Sequence, residues 1–125
     1  MWAYKIKTAE LRHNDDLVAA TCYSGYGAAK NDPTRTRETG IGPIPCGAYL
    51  IGAESDDEKH GPVALHLVHL TGTETYGRSG FMVHGDSRSA PGAASHGCIA
   101  AEPRKVREAM ADGPDKLLIV LSGDY

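Results

Sequence analysis

A chain of 125 residues is one domain's worth, enough to bury about two-thirds of its unfolded surface. With 41% apolar and 23% charged residues it has the composition of an ordinary soluble globular protein, and Gly 15 with Pro 7 favours strands and turns over long helices. A net charge of −3, a pI near 6.0 and no basic cluster argue against nucleic acid as a partner, and no run approaches the roughly 20 apolar residues of a membrane span.

The start, Met1-Trp2-Ala3-Tyr4-Lys5-Ile6-Lys7, alternates like a strand and lacks the apolar centre of a signal peptide. It predicts a strand over 2–7 and synthesis into the cytoplasm. Any extracytoplasmic role would then need a secretion machine, cell lysis or a leader outside this sequence. Asn14-Asp15-Asp16 reads as a turn and Leu17 to Tyr23 as a second strand, the two forming a hairpin. From Ser24 to Gly42 the glycines, Asn31-Asp32-Pro33 and mixed charges predict a long loop, a common home for function in a small domain.

Gly42-Pro43-Ile44-Pro45-Cys46-Gly47 punctuates the chain before a third strand, Ala48 to Gly52, and Asp56 to Pro62 reads as a charged turn. Val63 to Leu70 carries apolar residues on both faces, which predicts a central fourth strand with His66 and His69 packed in it. Gly80 to His84 is a fifth strand. Pro103 suits the first turn of a short helix to about Ala111, with Val106, Ala109 and Met110 inward and Arg104, Lys105, Arg107 and Glu108 outward. Asp112-Gly113-Pro114 ends it, and the unbroken apolar run Leu117 to Leu121 predicts a fully buried last strand over 116–121.

The chemistry concentrates in Ser95-His96-Gly97-Cys98-Ile99 and in His84, at the end of Gly80-Phe81-Met82-Val83. A thiol near its ordinary pKa is only a few per cent thiolate at neutral pH, so a nucleophilic cysteine needs a nearby base or positive charge. A strand carrying His84 and a returning loop carrying Cys98 would supply that pairing. Gly97 would let backbone approach a reacting carbonyl, with N–H groups at Gly97 and Cys98 facing a developing oxyanion. Gly85 leaves a carbonyl that can bond the His84 ring and fix its tautomer.

Plainer readings stand beside these. Cys98 and His84 alone would more often be an inert thiol and a satisfied strand histidine; the flanking glycines favour catalysis. Ser95 could donate to the thiolate or to a loop carbonyl, or be a simple turn residue. Arg78 could hold a substrate carboxylate bidentately or be a solvated turn arginine. Asp86 could orient Arg88, His96 or the loop, or be a solvated carboxylate. His84, Asp86, His96 and Cys98 could instead make a mixed zinc shell, an unusual donor set for a structural site. His13 and His60 fall in polar turns. Cys22 and Cys46 read as small buried residues in the reduced state, with a disulfide between them after export as the alternative.

These residues resemble the L,D-transpeptidase catalytic domain, whose signature is a strand histidine, a glycine-rich loop and Ser/Thr-His-Gly-Cys-apolar. Tyr23-Ser24-Gly25-Tyr26-Gly27, Asn31-Asp32-Pro33, Gly42-Pro43-Ile44-Pro45, Gly77-Arg78-Ser79-Gly80-Phe81 and His84-Gly85-Asp86 extend the likeness over most of the chain. They occur in this order in the related L,D-transpeptidase-like antibacterial effectors of type VI secretion systems.

The resemblance implies a mainly β fold, a compact L,D-transpeptidase-like β-sandwich with one short α-helix over about 103–111, as a single domain over 1–125. It implies catalysis by Cys98 and His84 with Ser95 and Gly97, substrate contacts from Arg78, Asp86 and His96, and no cofactor or metal. The expected substrate is the peptidoglycan stem peptide, its terminal D-alanine removed or exchanged through a Cys98 thioester. An immunity protein and secretion components are the implied partners, and the periplasm of a target bacterium the implied place of action. Departures are a short His84–Cys98 loop and Ala100 where wall-building relatives carry Asn or Arg, a gap that Arg104 could fill. The rival readings are a phage lysis factor of the same chemistry, a non-catalytic wall-binding module and a small zinc hydrolase.

Overall fold

The computed structural model describes residues 1–57, 61–87 and 89–123. Its strands are β1 (Trp2–Lys5), β2 (Glu10–His13), β3 (Asp16–Ala19), β4 (Tyr23–Ser24), β5 (Gly47–Asp57), β6 (Gly61–His69), β7 (Met82–His84), β8 (Ile99–Ala100) and β9 (Leu117–Leu121). One helix, α1 (Arg104–Asp112), lies between β8 and β9. The fold is mainly β, and the strands join in a single sheet of order β3-β2-β1-β9-β5-β6-β7-β8-β4, curled into a half-barrel.

The N-terminal hairpin forms one strand later than expected. Asn14 and Asp15, at φ 49° and 71°, make a two-residue turn that closes β2 on β3 with His13 opposite Asp16. This primed-turn geometry matches strand twist and suits Asn and Asp. β1 pairs antiparallel with β2 and parallel with β9. Glu10-Leu11-Arg12-His13 carries one apolar residue and so shows no alternation of its own; its neighbours impose the extended form. His13 stacks on Trp2 with centroids 4.1 Å apart, and its Nε2 lies 2.9 Å from Asp115 Oδ2.

β5 and β6 are longer than their apolar segments because their polar ends continue the backbone ladder past Ser55 and Ala64. His60, placed in a turn on sequence grounds, lies outside the described residues. β6 is interior, between β5 and β7, yet beyond Leu65 only one of its faces is covered: Leu65 and Leu67 are buried while His66, Val68 and His69 are exposed. β9 alternates likewise, with Leu118 and Val120 buried and Leu117, Ile119 and Leu121 half-buried. Along β9 and the second half of β6, one sheet face therefore builds the core while the other is more open to solvent; β7 and β8 are buried on both faces.

Trp2, Tyr4, Ile6, Leu11, Leu65, Val83, Ile99, Leu118 and Val120 meet in that core, and α1 packs over β6 with Val106 and Met110 inward. Ala109, expected inside, is exposed. Arg107, expected outside, is buried: Nε donates to Val63 O at 3.1 Å, Nη1 to Ala101 O at 2.5 Å and Nη2 to Pro62 O at 3.2 Å. This arginine ties α1 to the start of β6 and to the chain leaving β8. Among the described residues no helix is long and apolar enough to cross a membrane.

Candidate active site

β7 and β8 run side by side in parallel, with Val83 opposite Ile99 and His84 opposite Ala100. Side chains alternate along a strand, and Val83 and Ile99 point into the core. His84, one position away on β7, therefore projects from the other face, and it lines a cavity of about 990 Å³ together with Cys98, the turn residue just before β8. His84 is buried, and its Nδ1 lies 2.7 Å from Gly85 O. A carbonyl only accepts, so Nδ1 carries the proton and Nε2 presents a lone pair, the tautomer a general base needs. Cys98 is half-buried, with Sγ 3.8 Å from Gly80 O.

The turn bearing Cys98 is built around Ser95, which is fully buried. Its hydroxyl donates to Cys98 O at 2.6 Å and accepts from Gly25 N–H at 2.9 Å and Gly97 N–H at 3.3 Å. Of the readings open for Ser95, the loop carbonyl is the observed partner. The Gly97 N–H, expected to face an oxyanion, is turned toward Ser95 instead. Gly97 has φ 138°, and a Cβ there would run into Arg78 Nη2. Glycine is required at this point by the arginine behind it as well as by the backbone angle.

Arg78 is 7% exposed, which rules out a solvated turn arginine. Nη1 donates to Thr36 O at 2.5 Å and Pro43 O at 2.8 Å; Nη2 donates to Gly42 O at 2.9 Å and reaches His96 O at 3.5 Å. A bidentate grip on a substrate carboxylate would require giving up several of these bonds.

Asp86 shapes the loop between the two strands. It accepts from Tyr23 OH at 2.5 Å, Ser87 N–H at 2.8 Å and Gly92 N–H at 3.0 Å. Burial works to raise its pKa, but the Tyr23, Gly92 and Ser87 donors outweigh it and hold the carboxyl below the usual range. Tyr23 is pushed up to about 12 by burial and by that bond, so it remains a donor, while its oxygen accepts from Ala94 N–H at 2.8 Å. Because the folded pKa is depressed, the stabilisation from ionised Asp86 is complete above the unfolded pKa of ~3.9 and is lost as pH falls below it. Thermal unfolding of wild type and Asp86→Asn across pH 2–7 is expected to show a gap at pH 6 that closes below about pH 4; a gap unchanged down to pH 2 would refute this role. Arg88 lies outside the described residues.

His96 is exposed, stacked on Tyr26 with centroids 4.8 Å apart and with Nδ1 2.9 Å from Gly40 O. It thus fastens the 26–40 loop over the cavity, whose wall includes Thr39 and Gly40. Asp86 and His96 are held by these separate partners, and among the described residues no group of three or more His, Cys, Asp or Glu side chains is placed to hold a metal ion. Arg104 and Glu102 line the same cavity. Glu102 Oε1 accepts from Asp86 N–H at 3.0 Å, and Oε2 lies 3.5 Å from Arg107 Nη1. Cys22 is buried, its pKa pushed up to about 11 mainly by desolvation, and so is a poor nucleophile. Cys46, expected to be buried, is exposed.

A curled β-sheet domain carrying a cysteine and a histidine on one face, at one cavity, is the class that fold and site define. The chain matches the family model of the Tlde1 domain over residues 18–121. It belongs to that family, one of type VI secretion effectors. No curated protein matches the sequence.

Proposed function

We propose that this effector is a cysteine acyltransferase acting on peptidoglycan stem peptides, an L,D-carboxypeptidase or L,D-transpeptidase. The reading is supported above all by His84, on β7, and Cys98, in the turn just before the parallel neighbour β8, lining one cavity, with the histidine's Nδ1 engaged by Gly85 O. In this mechanism His84 Nε2 takes the Cys98 proton, and Sγ attacks the carbonyl of the third stem residue. The bond to the terminal D-alanine breaks, and the imidazolium returns the proton to the leaving amine. The resulting thioester passes its acyl group to water, which shortens the stem, or to an amine, which exchanges the residue or cross-links stems. Ser95, Gly97, Arg78 and Asp86 hold this geometry, while His96 and Arg104 stand on the cavity wall where a stem would lie.

Acting in the periplasm of a target cell is the role that fits delivery by a contractile secretion system. A producing cell would then need an immunity protein against its own effector. The test is mass spectrometry of purified tetrapeptide muropeptides incubated with the reduced protein, with and without a D-amino acid. Loss of terminal D-alanine, or its replacement, is the expected result. An unchanged profile from folded protein with an alkylatable Cys98 would reject the reading.

A further inference from the structure

The carbonyls around Arg78 come from two separate stretches: Thr36, Gly42 and Pro43 from the loop before β5, and His96 from the turn that carries Cys98. Its guanidinium also lies 5.5 Å from the Phe81 ring centroid. Among the described residues no carboxylate forms an ion pair with it. Carbonyl dipoles solvate a cation without neutralising it, so a net positive charge stays buried beside the Cys98 turn. The position that a Gly97 Cβ would occupy falls against Nη2, which sets the arginine immediately behind the residue preceding the nucleophile.

We infer that Arg78 is a positioning residue for Cys98: a carbonyl-caged guanidinium that seats the His96–Cys98 turn against the 36–43 loop and holds a positive charge toward the thiolate. Lysine could supply the charge but not a planar fork reaching carbonyls in two segments. Burial lowers the Arg78 pKa, while Tyr49 and Cys98 act to raise it. That coupling is reciprocal, because an anion that favours the guanidinium is favoured by it. The inference rests on Cys98 as the reactive thiol and not on the identity of the acyl substrate.

Among the described residues, the other charged or titratable groups sharing the cavity are His84, Asp86, His96, Glu102, Arg104 and Arg107. Asp86 and Arg107 are engaged by the bonds described above, and His96 is anchored on Gly40 O.

The experiment is the pH dependence of Cys98 alkylation by iodoacetamide from pH 5 to 10. Cys98 is followed by peptide mass spectrometry, so that Cys22 and Cys46 do not contribute. Wild type is expected to titrate below the ordinary thiol value of ~8.5. Arg78→Gln is expected to shift the midpoint upward by one to two pH units, which slows alkylation at pH 7 by about 10- to 100-fold. Arg78→Lys is expected to fall between the two. Should Arg78→Gln fail to fold, Gly97→Ala keeps the charge but pushes Nη2 off the turn, and the same upward shift is expected. A folded Arg78→Gln or Gly97→Ala with the wild-type midpoint would overturn the inference, as would an ordinary thiol value in wild type. A low wild-type midpoint that rises in Arg78→Gln, together with unchanged muropeptides, would uphold the inference and reject the peptidoglycan reading.

Discussion

Cys98→Ala is expected to reduce release or exchange of terminal D-alanine to background while the protein melts within a few degrees of wild type. Cys98 is half-buried and lies outside the hydrophobic core, so the substitution removes the proposed nucleophile and little else. His84→Ala is expected to lower the rate by about 10²- to 10⁴-fold, the usual contribution of a positioned general base, with residual activity rising at alkaline pH as the thiol ionises without help. His84 is buried, so its loss also leaves a small void, and His84→Gln is the more conservative partner experiment. Muropeptide turnover followed with melting temperature separates chemistry from folding. Turnover surviving in Cys98→Ala would exclude the thioester route.

The second large effect is structural. Arg107→Leu is expected to destabilise the domain by about 3–5 kcal/mol, because it strips the donors from three carbonyls and removes the ionic partner of Glu102. The carbonyls of Pro62, Val63 and Ala101 lie at the start of β6 and just beyond β8. Val63, a β-branched residue, is held there at φ 56°, a conformation that persists only when its surroundings over-determine it. Asp56 Oδ1 accepts from Val63 N–H at 2.8 Å and Arg107 donates to its carbonyl, so the strained residue is gripped on both sides. Urea denaturation of Arg107→Leu beside Arg107→Lys reads this directly. A loss below about 1 kcal/mol in Arg107→Leu would show that water replaces these bonds without penalty.

The pairing of His84 with Cys98 at one site was legible without coordinates because its signals are local. Alternation along Phe81-Met82-Val83-His84 decides which residues share a face, and Gly85, next in the chain, supplies the carbonyl that selects the histidine tautomer. The strands around 48–52, 63–69 and 117–121 announced themselves through apolar runs, and Pro103 with Val106 and Met110 marked the helix to within about a residue. β2 and β8 were not visible. Glu10-Leu11-Arg12-His13 has too little apolar character, and Ile99-Ala100 is too short for any periodicity; each exists because a neighbouring strand offers its backbone.

The roles of Arg78, Arg107, Ser95 and Asp86 were decided by tertiary structure alone. A charged residue between glycines, or on a short polar helix, is by default solvated, and these arginines are buried because the fold brings several backbone carbonyls to one point. Every residue has a carbonyl, so its presence leaves no mark in the sequence, and its direction is set only when distant segments close on one another. The chain's own pattern therefore singled out the thiol and the imidazole that share the cavity. The arrangement that holds them depended on contacts between Thr36 and Arg78 or between Tyr23 and Asp86, remote in sequence and adjacent only once the sheet has curled.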